Sequence, residues 1–480
     1  MKSPKSKVQS PKCKVQSAKC KVQSAKCAVV AAALMVAVGH VALAQDQRPP
    51  IGNQQSAISN HQSLAPPTIS QTISVSDAVE IALKNSPKTQ AQRAEAEAAR
   101  ARIGMARAMT RPQVLATTFA TTGTMPSIIP GPPTVEPQPF AMVPDKSQLD
   151  KNLMAMYPLY TGGRLAGQVR SAQSLYGAAA SDARSAELDV ALDARVAYRR
   201  VLLARRFVEA YQRRVDESRE RLRIADESFK EGRIAKYDLL RNQTELADAE
   251  QALVNAERDA DVAMVDLKTV LGVSQSSDLT LSGELAFEPV EGDAEQVQAR
   301  AFRQRPEIAA ARSRTESAQA GVDVARSAYR PQLYAVGMQD FALSSGTSGL
   351  DHGFIVGITA ALPILDGGLR KSAVSEAKAM QDRTEAEERS AVLAVNRDVG
   401  TAWTELQAAA KNVKLAQAAV EQAEEDYRVV KLRYEAGKAI NVEVLDALAS
   451  MTNAQTNYAQ ALYEHSTAHD RLNRAVGDAS

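Results

Sequence analysis

The sequence predicts a mainly α fold with a small β part: one unit written twice, each copy a set of long antiparallel coiled-coil helices joined to two short strands. Three observations carry this. The 480-residue chain is rich in Ala and charge but only 4% aromatic, which suits long, close-packed helices better than a large aromatic-filled core. Apolar residues recur every seven positions over many turns. One set of Pro and Gly landmarks occurs twice.

The first 44 residues stand apart. Lys2 to Lys26 carries eight Lys and no acid, Ala28 to Leu43 is apolar apart from Gly39 and His40, and Ala42-Leu43-Ala44 follows. A basic region, a short apolar run and a small-residue site read as a secretory signal peptide over residues 1–44, the alternative being a retained amphipathic or basic tail; the run is too short for a membrane-spanning helix. All three cysteines (Cys13, Cys20, Cys27) lie there, so the remainder has no disulfide or thiol chemistry. Removing the eight lysines takes the formal charge from +2 to about −6. A mildly acidic chain argues against a nucleic-acid partner. Residues 45–72 read as a flexible N-terminal segment.

The two copies are a first repeat, 73–272, and a second, 293–480, with 273–292 as linker. Pro87 and Pro306 each open a stretch that ends 25 residues later in an Arg-Pro-Gln triplet, Arg111-Pro112-Gln113 and Arg330-Pro331-Gln332, at an offset of 219. Each predicts a helix, 87–110 and 306–328. Pro suits a first helical turn, and the second Pro disfavours helix in the residue before it. Strands follow at about 112–123 and 151–161 in the first copy, and 331–343 and 353–364 in the second. In the last, Phe354, Val356, Ile358, Ala360 and Leu362 share one face, as a period of two requires. Between the first two strands lies an insertion with seven prolines between Thr124 and Ser147, read as an extended loop.

Each second strand runs into a matched junction, PLYTGGR at Pro158–Arg164 and PILDGGLR at Pro363–Arg370, now at an offset of 205 that holds to the end. Gly162, Gly163, Gly367 and Gly368 read as corners where a strand turns into a helix, since Gly takes dihedrals that other residues avoid. Pro158 and Pro363 stand where no ladder donor is needed.

Long helices follow, 164–229 and 368–434. In the second copy Val392, Val399, Leu406, Val413, Val420, Tyr427 and Tyr434 recur at sevens, with Val395, Ala402, Ala409, Ala416, Ala423 and Val430 three places on. These are the a and d positions of a sustained heptad, and Ala194 to Phe229 repeats the phase. After turns at Gly232 and Gly437 come shorter helices, 236–272 and 441–476, with Leu239, Leu246, Leu253, Ala260 and Leu267 in one column. Strict sevens predict a left-handed supercoil, and short turns make the paired helices antiparallel. A 66-residue helix is about 100 Å long. The shorter two of each copy, stacked end to end, nearly match it.

Four strands cannot close a membrane barrel, which takes about eight or more, and an open sheet edge cannot sit in lipid. If the strands cross a membrane, several chains share one barrel; three chains would supply twelve strands and close the helical walls into a trimeric α-barrel. The alternative is a small soluble β-domain on a coiled-coil stalk, a non-pore envelope scaffold.

Over about Ile73 to Gly477 the chain resembles the TolC-type outer-membrane efflux proteins, the outer membrane factors. The resemblance rests on the doubled unit, both Arg-Pro-Gln turns, both Gly-Gly junctions, and the turn RYEAGKAINVEVLDA at Arg433–Ala447. It implies a homotrimer with a shared 12-stranded outer-membrane β-barrel over a periplasmic helical tunnel. The implied role is an exit duct of a tripartite efflux or type I secretion system. Its partners would be a periplasmic adaptor (membrane fusion) protein, an inner-membrane pump of RND, ABC or MFS type, and outer-membrane lipid. The resemblance assigns adaptor docking to the tip turns, on Arg433 and Gly437 in the second copy and Gly232 in the first, where Ser228 replaces the Arg. It assigns the periplasmic aperture to Asp238, Tyr434, Glu443 and Asp446. Ala439 stands where the family's best-known member carries a gating Arg, beside Lys438. A ring of symmetry-related Glu443 or Asp446 would repel anions and attract cations; the ordinary alternative is acidic residues favoured at a helix start.

No catalytic site, cofactor or metal centre is expected. His465 and His469 are four apart, a spacing that binds metals, but His465 falls in the heptad column with Tyr458 and Leu472, which reads as packing.

Overall fold

The computed structural model describes residues 66–121, 127–129, 141–143, 148–289, 292–344 and 350–478. The signal-peptide segment and residues 45–65 lie outside the described residues. The chain divides into two compact units. One is built on Met105–Gly167 and Asp323–Ser372, the other on 66–104, 168–322 and 373–478.

The first unit holds a four-stranded antiparallel sheet. Its strands are β2 (Gln113–Thr121), β5 (Gln148–Tyr160), β7 (Gln332–Ser344) and β8 (Leu350–Ala361), in the order β2-β5-β7-β8. Gln113 pairs with Met156, Met154 with Met338, and Val336 with Gly357. Among the described residues β2 and β8 are therefore its open edges. Phe354, Ile355, Val356 and Ile358 of β8 are exposed, on both faces. Pro158 lies within β5 at a bulge between Pro158 and Tyr160, beyond the reach of β2, rather than at the strand's end. A bulge tolerates the missing donor. Pro363 follows β8. Inside the proline-rich insertion, β3 (Ser127–Ile129) pairs antiparallel with β4 (Ala141–Val143), so this stretch is not purely loop. The rest of the insertion lies outside the described residues.

The helices are α1 (Val75–Asn85), α2 (Pro87–Ala108), α3 (Arg164–Lys230), α4 (Lys236–Leu271), α5 (Ala294–Gln304), α6 (Pro306–Ser327), α7 (Leu369–Glu435) and α8 (Asn441–Val476). α3 and α7 are 67 residues each, α4 and α8 36 each. Two short helices, α1 and α5, precede the prolines that open α2 and α6. Ser86 and Arg305, the residues before those prolines, are extended, at ψ 123° and 119°, as the ring of a following Pro demands.

Heptad positions supply much of the second unit's core. Val399, Leu406, Val413 and Val395 are almost fully buried, as are Ala194, Val201 and Val215 in the first copy. On α4 the more deeply buried column is Asn242, Ala249, Ala256 and Ala263, three places on from the leucine column. Small side chains there let helices approach closely, so Leu239, Leu246 and Leu253 flank that contact, while Leu267 is fully buried. The expected flexible segment 45–72 and linker 273–292 are both corrected in part. β1 (Ser70–Ile73) and β6 (Asp278–Leu281) form a two-stranded parallel sheet. Ile73, Leu279 and Leu281 are buried beneath it. The Tyr198 hydroxyl, on α3, donates to the Ile73 carbonyl at 2.9 Å. Each strand is only four residues long, and 208 positions separate the partners, so no local pattern announces them.

Charges tie the helices together. Arg474 of α8 donates to Asp189 of α3 at 2.8 Å and to Glu307 of α6 at 2.7 Å. Arg305 pairs with Glu307 at 3.1 Å and Asp398 of α7 at 3.0 Å. Burial alone would raise the Glu307 pKa; Arg474 and Arg305 outweigh it and hold the carboxyl below its ordinary range.

Candidate functional site: the helix tips

Each tip is a glycine-ended helix, a short turn, and a new helix start. α3 ends at Lys230; Gly232 adopts φ 75°, and the Arg233 amide donates to the Ser228 carbonyl at 2.7 Å. α7 ends at Glu435; Gly437 adopts φ 70°, and the Lys438 amide donates to the Arg433 carbonyl at 2.8 Å. This six-to-one closure needs a left-handed residue, which Gly supplies without a Cβ penalty. The two tips therefore share one backbone solution.

Their side chains differ. Arg433 donates to the Lys438 carbonyl at 3.3 Å and pairs with Glu443 at 3.5 Å. Glu443 also accepts from the Ile440 amide at 3.3 Å, capping α8. The first tip, with Ser228 in place of the Arg, instead has Arg233 paired with Glu231 within the turn. Exposed apolar groups flank both turns: Tyr237 and Leu240 on the first, Leu432 and Ile440 on the second.

No hydrogen bond or ion pair among the described residues joins the four aperture residues to one another. Asp446 is exposed and makes no hydrogen bond or ion pair among the described residues. Asp238 is half-buried at the start of α4. Glu443 is held by Arg433, so Lys438 is not its partner within the chain. Tyr434 packs on the apolar cluster of Tyr427, Val430, Val444, Ala447 and Leu448.

A second set of residues gathers just behind the tips, and sequence reasoning missed it. The Tyr427 hydroxyl of α7 donates to Glu217 of α3 at 2.7 Å, and Lys431 donates to the same oxygen at 3.1 Å. Arg221 of α3 places its guanidinium 6.0 Å from the centre of the Tyr434 ring, and its buried Nε and Nη1 have no hydrogen-bond partner. Burial lowers the Arg221 pKa. Burial also raises that of Tyr427, to which Glu217 adds. For Glu217 burial works upward, but hydrogen bonds from Tyr427 and Lys431 overcome it and leave the pKa below the ordinary carboxylate value. Arg214 braces the neighbouring helix by donating to Glu245 of α4 at 2.7 Å. One signal pointed here: Tyr427 and Tyr434 interrupt a column of Val and Leu, and a buried phenol needs a polar partner.

The two Gly-Gly junctions are built alike and seated differently. Gly162 and Gly163 have φ 63° and 95°, Gly367 and Gly368 φ 61° and 93°. A Cβ on Gly162 would meet the Arg330 Cβ and the Ser327 carbonyl oxygen at 2.8 Å, whereas nothing lies within 4 Å of Gly367.

His465 is buried, 4.8 Å ring to ring from Phe287, with neither ring nitrogen hydrogen-bonded. Burial lowers its pKa and favours the neutral form. Among the described residues no group of His, Cys, Asp and Glu is arranged to hold a metal. No described helix is long and apolar enough to cross a membrane.

Comparison with known proteins follows the same architecture. The family described as outer membrane efflux protein matches residues 78–273 and 298–478. The pyoverdine export outer membrane protein OpmQ of Pseudomonas putida is 25% identical, covering 89% of this chain and 92% of its own. The toluene efflux pump outer membrane protein TtgF, also of Pseudomonas putida, is 25% identical over 69% of this chain and 70% of its own. Among solved structures, the CmeC outer membrane channel of Campylobacter jejuni superposes with a TM-score of 0.70 at 19% identity, covering 84% of this chain and 85% of that one.

Proposed function

The chain belongs to the outer membrane efflux protein family, and from that premise we propose that it is the exit duct of a tripartite efflux or type I secretion system. It lies in the outer membrane with a large periplasmic helical part. Three copies form the duct, each giving four strands to a shared 12-stranded barrel. It works passively, and the driving force comes from an inner-membrane pump of RND, ABC or MFS type through a periplasmic adaptor.

The observation that carries this reading is the sheet. Four antiparallel strands end in two open edges, with apolar side chains exposed on both faces of β8. Unpaired edge groups cost several kcal/mol each in hydrocarbon, so such a sheet belongs in a membrane only when other strands complete it.

The tips serve the pump side. The turns at Gly232 and Gly437 present the exposed apolar residues and Arg433 to the adaptor. The aperture is lined by Asp238, Tyr434, Glu443 and Asp446, and the free carboxylate of Asp446 from each copy makes a cation-favouring ring. Opening separates helix ends by breaking a few polar contacts, with Glu217–Tyr427 and Glu217–Lys431 among those at stake. The relatives are named for pyoverdine and for toluene, two unlike cargoes. Cargo choice then lies mostly with the pump partners.

Cell fractionation tests the reading. Protein in the outer-membrane fraction that migrates as a heat-dissociable trimer is the expected result; a soluble monomer or dimer would instead favour a coiled-coil scaffold.

A further inference from the structure

His465 takes no part in the duct described above, and its surroundings suit only one of its charge states. It stands on α8 at 1% exposure, and neither Nδ1 nor Nε2 has a hydrogen-bond partner. A neutral imidazole has one N–H donor; the imidazolium has two, and a charge. A buried donor without a partner is unfavourable, and an unpaired buried charge is far worse. Burial disfavours the imidazolium most. His469, one turn further along α8, and Arg199 of α3 oppose it too, although Arg199 is engaged by Asp470 at 2.6 Å; Glu288, in the linker between the repeats, favours it. The balance lies with the neutral ring.

What covers the ring is not a helix. After β6 the chain runs without regular structure over residues 282–289, and this strap crosses from α3 to α8. Its α3 end is well tied. The Tyr198 hydroxyl donates to the Ser282 carbonyl, the Ser282 amide donates to the Ile73 carbonyl at 3.0 Å, and Arg206 pairs with Glu284 at 2.6 Å. Its α8 end is held by less. Phe287 lies on His465 at 4.8 Å ring to ring, and the Ser466 hydroxyl reaches the Ala286 carbonyl only at 3.4 Å, beyond the usual length of such a bond. Leu285, between the two ends, is 6% exposed. α8 is fixed by its buried face, with Leu448, Leu472 and Val476 in the core. A segment with few contacts opens before a packed helix does, so the strap is the part that yields.

We propose that His465 is an acid-sensitive latch on the strap that joins the two repeats: neutral, it seats Phe287 and closes the strap onto α8; protonated, it releases Phe287 and Leu285 while Ser282 stays tied to α3. Water then reaches both ring nitrogens and satisfies both donors of the imidazolium. The latch lies within one chain and acts whether or not copies assemble. Its direction follows from linkage. The closed strap binds fewer protons than the open one, so closure is strongest above the ordinary histidine value of about 6.5 and weakens as pH falls below it, by up to about tenfold per pH unit. Ordinary carboxylates titrate lower, near pH 4, so the range from about pH 7.5 to about pH 5.5 isolates histidine.

Thiol labelling with a pyridyl disulfide reads the strap. In the full chain, with Cys13, Cys20 and Cys27 replaced by serine, Leu285→Cys sets a thiol at a buried position and Ala286→Cys sets one at an exposed position beside it. Dividing the labelling rate at 285 by that at 286 removes the pH dependence of the thiolate itself. The ratio is expected to rise several-fold from about pH 7.5 to about pH 5.5, with about tenfold as the ceiling. His465→Phe keeps a ring and has no proton to gain, and His465→Gln keeps polarity without titrating; in both the ratio is expected to stay constant with pH. His469→Gln is expected to retain the rise. A ratio that does not change in the chain with His465 intact would overturn the latch. So would a ratio that falls in acid, the sign of Glu288 clamping the imidazolium, and so would an equal rise in His465→Phe or His465→Gln.

Discussion

Glu217 is the residue on which the tip chemistry turns, because it accepts from Tyr427 and Lys431 together. Tyr427→Phe keeps the packing and deletes one hydrogen bond to a charged acceptor, a loss of about 1.5–3 kcal/mol where burial is full and less here. The expected readout is a lower urea midpoint with an unchanged slope. The pH dependence has a definite sign. The folded-state pKa of Glu217 lies below its ordinary value, so its stabilisation is present above that ordinary value and disappears as pH falls through the folded pKa. The stability gap between the wild type and Glu217→Gln should therefore narrow on acidification below about pH 4.5, measured by denaturant titration at several pH values; a gap that widens would contradict the assignment. In the proposed aperture Asp446 and Glu443 act on ions, and Glu443 also caps α8 and pairs with Arg433. Replacing both by Ala should raise single-channel conductance in bilayers and weaken cation preference, and unchanged currents would remove them from the aperture.

Elements owe their positions to a few punctuating residues. Gly162→Ala forces a Cβ into a left-handed backbone and against Arg330 and the Ser327 carbonyl, which should cost at least about 1–2 kcal/mol. Gly367→Ala carries the dihedral penalty alone within one chain. Thermal unfolding of the two variants as dissociated monomers should rank them in that order. In the heptads, Leu406→Ala opens a cavity at a side chain 1% exposed and should lose about 2–5 kcal/mol. The sequence showed the long helices, the glycine turns and the strand runs because each has a local cause: a period of seven, a left-handed residue, a period of two. It hid β1 with β6, whose partners are 208 positions apart. It also hid the Glu217–Tyr427–Arg221 group, since pairing α3 with α7 requires knowing how two helices 210 residues apart in sequence are aligned. The buried alanine column of α4 was hidden for another reason: hydrophobicity points to Leu239 and Leu246, while close approach selects Ala249 and Ala256.

At the scale of the whole molecule, duplication explains why one chain is not enough. Each repeat supplies two strands, a long helix, a shorter partner helix and a proline-split pair, and the second repeat completes the first through β5 and β7. The free edges of β2 and β8 are the same joint, left open at both ends. A hydrocarbon environment makes closure obligatory. The most direct measurement is the conductance of the purified outer-membrane protein in planar bilayers, taken with its native mass. The account predicts discrete channels from a species of three chains; a species of that mass that carries no current, or a chain that never leaves the soluble fraction, would contradict it.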